Sequence, residues 1–171
     1  MSLVNNNIAR CLSLFLVLGT TGCFQPLYAP ISGREVQAEL ASISVAPISD
    51  RIGHYLASEL TFGLHGGGND TPTKYKLTVT VRERVQTPLV DTISGRASAA
   101  TVMIDADYKL FSISGGDAIT QGVAFTAVTY DRSSQRFANI RAARDAELRD
   151  AKALADQIRT RLAASFVGRS Q

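Results

Sequence analysis

Cysteine and histidine are scarce in this chain: of 171 residues, two are Cys and two are His. His54 and His65 lie eleven residues apart, and a zinc site needs three or four ligands, so no metal centre and no cofactor are expected. No tryptophan is present. There is no run of about 20 apolar residues, the length a membrane-spanning helix needs. A surplus of one charge is missing too. The net charge is +3, and no basic field argues for nucleic acid as a partner.

What is present begins at the N-terminus. MSLVNNNIAR has one charged side chain, Arg10, and CLSLFLVLGTTG has none. A basic start, a short apolar stretch from Cys11 to Leu18 and a small-residue site have the layout of a secretory signal. Gly22-Cys23 sharpens that reading. Lipoprotein signal peptidase needs a small residue before a cysteine whose thiol carries a diacylglyceryl group. The usual motif has Leu three residues before the cysteine, where Thr20 stands here. The alternative is an ordinary signal peptide with an incidental cysteine, but no A-x-A-like site follows the apolar stretch closely.

Cysteine arithmetic supports the anchor. Cys11 lies in the segment to be removed, so Cys23 is left alone in an oxidising compartment, where acylation would remove a free thiol. Several chains on one cysteine anchor stably, at about 0.8 kcal/mol per buried CH₂. Phe24, not Asp, follows Cys23, which favours the outer membrane over retention in the inner one. The expected organisation is residues 1–22 as signal, 23–38 as lipidated tether and 39–171 as one domain. Residues 1–22 hold Arg10 and no acid, so the +3 of the whole chain becomes +2.

Phe24 to about Gln37, with Pro26, Pro30 and Gly33, reads as extended tether. Leu40 to Ala46 alternates as a short strand ended by Pro47. Ser49 or Asp50 can cap a helix whose Ile52, Leu56, Leu60 and Leu64 form one stripe at four-residue spacing; Gly66 stops it. Lys74 to Val85 alternates cleanly. Tyr75, Leu77, Val79, Val81 and Val85 share one face, with Glu83 near the rim; Lys74, Lys76, Thr78, Thr80, Arg82 and Arg84 share the other. Pro88 lies in the loop that follows. Arg96 to Ile113 is a long strand with Val102, Ile104, Ala106, Tyr108 and Leu110 inward. Ser114-Gly115-Gly116-Asp117 turns a hairpin. Ile119 to Tyr130 returns with Val123, Phe125 and Ala127 expected inward. Phe137 to Phe166 is a long helix whose expected stripe includes Leu148, Ala151, Leu154, Ile158 and Leu162. The order β-α-β-β-β-α predicts an α+β fold, two helices packed on one face of a four-stranded, mostly antiparallel sheet, with the other face free.

The candidate chemistry is sparse. His65-Gly66-Gly67-Gly68 is similar to the HGGG oxyanion loop of some esterases, but that loop works with a G-x-S-x-G elbow, and none is present; a helix stop is the plainer reading. Asp105 and Asp107 lie two apart on one strand face, either solvated or set to hold a cation or share a proton. Lys74, Lys76, Arg82 and Arg84 form a row on the free face. Such a row discourages edge-to-edge pairing, or it receives an anionic partner, since Arg binds phosphate bidentately. In an outer-membrane setting that anion is lipopolysaccharide.

GCFQPLYAP after a signal, ASISVAPISDRIGHYLASEL, KYKLTVTVRERV and AELRDAKALADQIRTRLAASF, in this order, resemble the LptE lipopolysaccharide-assembly lipoproteins, especially the alphaproteobacterial kind. The family often has a glycine between the cysteine and the phenylalanine; here Cys23 and Phe24 are adjacent. The resemblance implies two helices on a four-stranded sheet. It also implies a non-enzymatic plug inside the LptD β-barrel that binds lipopolysaccharide. The alternative is a free-standing envelope lipoprotein with a small or lipidic ligand, which would need a pocket with converging polar groups.

The anchor has a direct test. Cys23→Ser is expected to abolish incorporation of labelled palmitate and leave the lipoprotein signal uncleaved; a variant that still acquires lipid would show that Cys23 is not the site.

Overall fold

Alternation along the chain decides which side of the sheet is covered. The structure, a computed structural model, describes residues 32–66, 71–87 and 98–168. The signal, Cys23, the tether up to residue 31, the glycine loop from residue 67 and Pro88 lie outside the described residues. The elements are α1 (Ser32–Ala41), β1 (Ile43–Val45), α2 (Asp50–His65), β2 (Tyr75–Gln86), β3 (Ala99–Ser112), β4 (Thr120–Asp131) and α3 (Arg136–Val167). The strands stand in chain order, with β1 parallel to β2 and the other neighbours antiparallel. This is the α+β fold expected, with one helix more.

That helix, α1, replaces the end of the extended tether and the first residues of the expected strand. Glu35 in its first turn suits the positive end of a helix. Val36 and Leu40, one turn apart, are both buried and dock the helix, with Gln37 donating from Nε2 to the Leu64 carbonyl at 3.4 Å. Only Ile43–Val45 is left as strand.

The core matches the alternation on β3 and on the first half of β2, while Val85 at the far end of that face is 55% exposed. Leu77 and Val79 are buried from β2, and Val102, Ile104, Ala106, Tyr108 and Leu110 from β3. Ile52, Leu56, Leu60 and Leu64 of α2 are buried as their spacing predicts. Burying one such side chain fully is worth about 1.5–3 kcal/mol. Gly66, at φ 58, closes α2 with its N–H on the Phe62 carbonyl at 3.0 Å. Ser49 stands at the cap position, but its side chain makes no capping hydrogen bond. The hairpin between β3 and β4 turns on Gly115 and Gly116, both with positive φ.

Two inward assignments are corrected. On β4, Ala124 and Thr126 are buried, whereas Val123 is 51% and Phe125 46% exposed; Ala127 is exposed as well. The register explains the reversal. The inward Ala106 and Tyr108 of β3 face Ala124 and Gly122, and a one-residue offset moves every side chain to the opposite face. The covered face of β4 therefore carries the small Gly122 and Ala124 opposite Tyr108 and Ala106, with Val128 and Tyr130 packed against the core farther along. A Cβ on Gly122 would stand 2.7 Å from the Tyr108 hydroxyl oxygen and 3.0 Å from Cζ, so Tyr108 occupies the space a side chain would fill. On α3, Leu148 is exposed, and Glu147 and Asp150 are buried. The helix turns the line through Ala151, Leu154, Ile158 and Leu162 toward the sheet, and Leu148 falls outside it.

Gly122→Ala is expected to destabilise the fold by about 1–3 kcal/mol through overpacking, read as a lower Tm. Adding Tyr108→Phe removes the nearest atom and should recover part of the loss; no recovery would place the cost elsewhere.

Candidate functional site

The face of the sheet that no helix covers has two halves. Lys76, Arg82 and Arg84 of β2 and Asp105, Asp107 and Lys109 of β3 make a charged half. Val123 and Phe125 of β4 make an apolar half, directly across from Asp107 and Asp105. The ion pairs run diagonally. Arg82 lies opposite Asp105 in the register, yet its Nη2 donates to Asp107, and Arg84 Nη2 donates to Asp105. Each arginine thus leans two residues back along the strand. A shallow depression of about 600 Å³ is lined by Arg82, Glu83, Arg84, Asp105, Asp107 and Val123.

The expected row of four cations is divided. Arg82 and Arg84 stay on the free face but are matched by aspartates. Lys74 precedes β2 and donates from Nζ to Glu39 Oε1 of α1 at 2.7 Å. That bond keeps the Glu39 carboxyl below its ordinary range and the Lys74 ammonium above its own. Lys76 is exposed and has no ion pair among the described residues. Asp105 and Asp107 are therefore arginine acceptors, not a cation site. Among the described residues, no group of three or more His, Cys, Asp or Glu is placed to hold a metal. His65 ties α2 to the sheet: Nε2 lies 3.0 Å from the Ile43 carbonyl, which can only accept, so the ring nitrogen donates.

β4 is an edge strand, and α3 reaches around that edge. Gln157 Nε2 donates to the Phe125 carbonyl at 3.1 Å, and Arg161 Nη1 donates to the Val123 carbonyl. Occupying outward carbonyls blunts an edge that would otherwise invite strand pairing. The sequence carries a faint signal of this arrangement in Gly122, which is out of place on an exposed face.

Under the sheet lies a polar cluster that alternation did not reveal. Arg51 of α2 forks onto Glu147 of α3, with Nε donating to Oε2 at 2.8 Å and Nη2 to Oε1. Glu147 is buried while Arg51 is exposed. Hydrogen bonding to Glu147 holds the guanidinium more firmly protonated. Partial burial raises the Glu83 carboxyl above its ordinary range; Glu147 adds to the rise and Arg51 opposes it. Asp150 of α3 is fully buried, and neither carboxyl oxygen has a well-aligned hydrogen bond; the Thr126 hydroxyl is the polar group beside it. Burial lifts its carboxyl as well, with Thr126 and Arg149 pulling the other way.

A carboxyl raised on folding binds protons more tightly in the native state, so stability falls as pH climbs from the unfolded value of 3.8 through the raised folded one. Asp150→Asn should therefore raise Tm at pH 7, and the gain should shrink toward pH 4. An equal gain at both values would show that the charge of Asp150 is not the cause.

The model of the lipopolysaccharide-assembly family LptE matches residues 40–162, which span every element described except most of α1 and the end of α3. No curated protein sequence matches the chain. Among solved structures, a protein from Caulobacter crescentus CB15 described as a lipoprotein is 26% identical, with a TM-score of 0.66 over 79% of this chain and 98% of its own. The rare lipoprotein B from Shewanella oneidensis has a TM-score of 0.57 at 12% identity, over 75% of this chain and 98% of its own. A minor lipoprotein from Acinetobacter baumannii has a TM-score of 0.56 at 15% identity, over 71% and 90%. The last two likenesses are of fold.

Proposed function

The chain belongs to the LptE family of lipopolysaccharide-assembly lipoproteins, and from that premise we propose that it plugs an LptD-type outer-membrane β-barrel. It helps the barrel assemble and assists delivery of lipopolysaccharide to the outer leaflet. It is held at the outer membrane, facing the periplasm, by lipid on Cys23, and it is not an enzyme.

The observation that carries this reading is the uncovered sheet face. A free-standing domain gains by burying Val123 and Phe125, and here they stand half in water beside a ladder of exposed ion pairs. Such a mixed face suits a partner that is itself partly polar, as a barrel wall is on its inner side. It also suits a phosphorylated glycolipid. Exposed ion pairs are worth about 0–1 kcal/mol each, so phosphate can replace Asp105 or Asp107 on an arginine at little cost. The displaced carboxylates stay in water. Lys76 has no carboxylate to give up. Lys76, Arg82 and Arg84, with Lys74 flanking at the α1 end, are the residues proposed to meet lipopolysaccharide or the barrel.

The test is a pull-down of the tagged chain from gently solubilised outer membrane, with mass spectrometry of proteins and lipids. A stoichiometric β-barrel and co-purifying lipopolysaccharide are expected. Recovery of the lipidated chain alone would sink the plug. The paired variant Arg82→Gln, Arg84→Gln should keep the barrel and lose most of the lipopolysaccharide. Glutamine is the better replacement, because Glu would set like charges across from Asp105 and Asp107. Unchanged lipid recovery would remove the arginine pair from the contact.

A further inference from the structure

The first turns of α3 combine two features: an uncompensated run of arginines and a group of exposed apolar side chains. From Arg132 to Arg144 the chain has four arginines and no acid. The first turn of α3 contains no acidic residue and begins with Arg136, although a helix start carries partial positive charge and favours anions. Arg132, Arg136, Arg141 and Arg144 are all exposed, and none is among the ion pairs of the described residues. The second feature is apolar. Phe137 is 84% exposed, and Ile140 and Leu148 are exposed as well. Residues 137, 141, 144 and 148 are spaced to lie along one stripe of a helix, so Phe137, Arg141, Arg144 and Leu148 share a line pointing away from the core, with Ile140 beside it.

Hydrogen bonds tie down the start of the helix. Asn139 Oδ1 accepts from the Ser133 N–H at 2.8 Å, and Asn139 Nδ2 donates to the Ser133 carbonyl at 2.9 Å. The Arg132 N–H is held by the Ser98 carbonyl at 2.9 Å. The apolar residues thus stand on a helix whose start is tied down.

We propose that this stripe is a second membrane contact, in which Phe137, Ile140 and Leu148 enter the headgroup boundary of an anionic phospholipid surface while Arg136, Arg141 and Arg144 take its phosphates. The charge match argues for that occupant. Arginines set beside exposed apolar side chains can reach headgroup phosphates with their charged ends while the apolar groups enter the boundary. Phosphates at the start of α3 supply the negative charge that its first turn lacks. This contact stands apart from the sheet face and does not depend on the barrel reading.

The absence of tryptophan makes the test specific. Phe137→Trp in the full acylated chain provides a single tryptophan, and the high exposure of Phe137 leaves the fold undisturbed. The protein is placed in vesicles of phosphatidylcholine alone or with phosphatidylglycerol, where the Cys23 lipid holds it in either case. In anionic vesicles the emission should move to shorter wavelength and be quenched by brominated acyl chains; in neutral vesicles it should remain that of an exposed tryptophan. Adding Arg141→Gln and Arg144→Gln should cut the inserted-to-free ratio about 25-fold, from about fivefold per arginine. Phe125→Trp, on the free sheet face, should stay unquenched in both. Emission from the Phe137→Trp variant that remains that of a water-exposed indole in anionic vesicles overturns the proposal. So does equal insertion in both lipids, and so does a position shielded only when a protein partner is bound.

Discussion

The seat of α3 against the inner face of β3 and β4 is the contact on which the other elements depend. Gly122 and Ala124 leave the covered side of β4 nearly flat, and Tyr108 fills the space over Gly122. Ala146, Ala151, Ala155 and Ala163 are the buried small residues of α3. Small residues on the covered side of β4 let the helix approach the strand closely. Once that face is taken, Val123 and Phe125 have only the outer side to occupy. The same seat brings Gln157 and Arg161 to the β4 edge and Glu147 to Arg51, so edge protection and the helix–helix tie both follow from it.

The polar cluster under the sheet shows what this arrangement costs. Glu147 is buried but receives two donors from Arg51, so its charge is compensated. Asp150, three residues on, has no such partner, and its carboxyl responds by holding its proton more tightly. A buried ionisable group without well-aligned hydrogen bonds is expensive in charged form. Its neighbour across the interface, Thr126, is the one buried polar side chain of β4. The polar pair sits where α3 packs on β4.

Function divides along the same geometry. The helices close one face of the sheet and leave the other with both charge and apolar surface. The first turns of α3 run past the core, because the first buried residue of the helix is Ala146. What precedes it is free to carry Phe137, Ile140 and the unmatched arginines. The open sheet face and the cationic, apolar helix start are separate surfaces, the first proposed here for a protein or glycolipid partner and the second for a membrane.

The alternation of β2 and β3, the four-residue spacing of α2 and the glycines of the hairpin were legible because each side chain's environment there follows from its own position in a regular element. So was the family likeness, carried by motifs in order along the chain. Three features were not legible. The face of β4 depends on Tyr108 finding room over Gly122, a contact between strands that periodicity within one strand does not contain. The helix α1 rests on Val36 and Leu40 meeting a core built by later residues. The basic row changed its meaning because Asp105, Asp107 and Glu39 come from other elements. Most of the elements, their amphipathic faces and the α+β class were written in the order of residues, since these rest on local backbone geometry. Which cations are matched and which apolar residues stay in water emerged only on packing, because charge pairing and burial are set by neighbours distant in the chain.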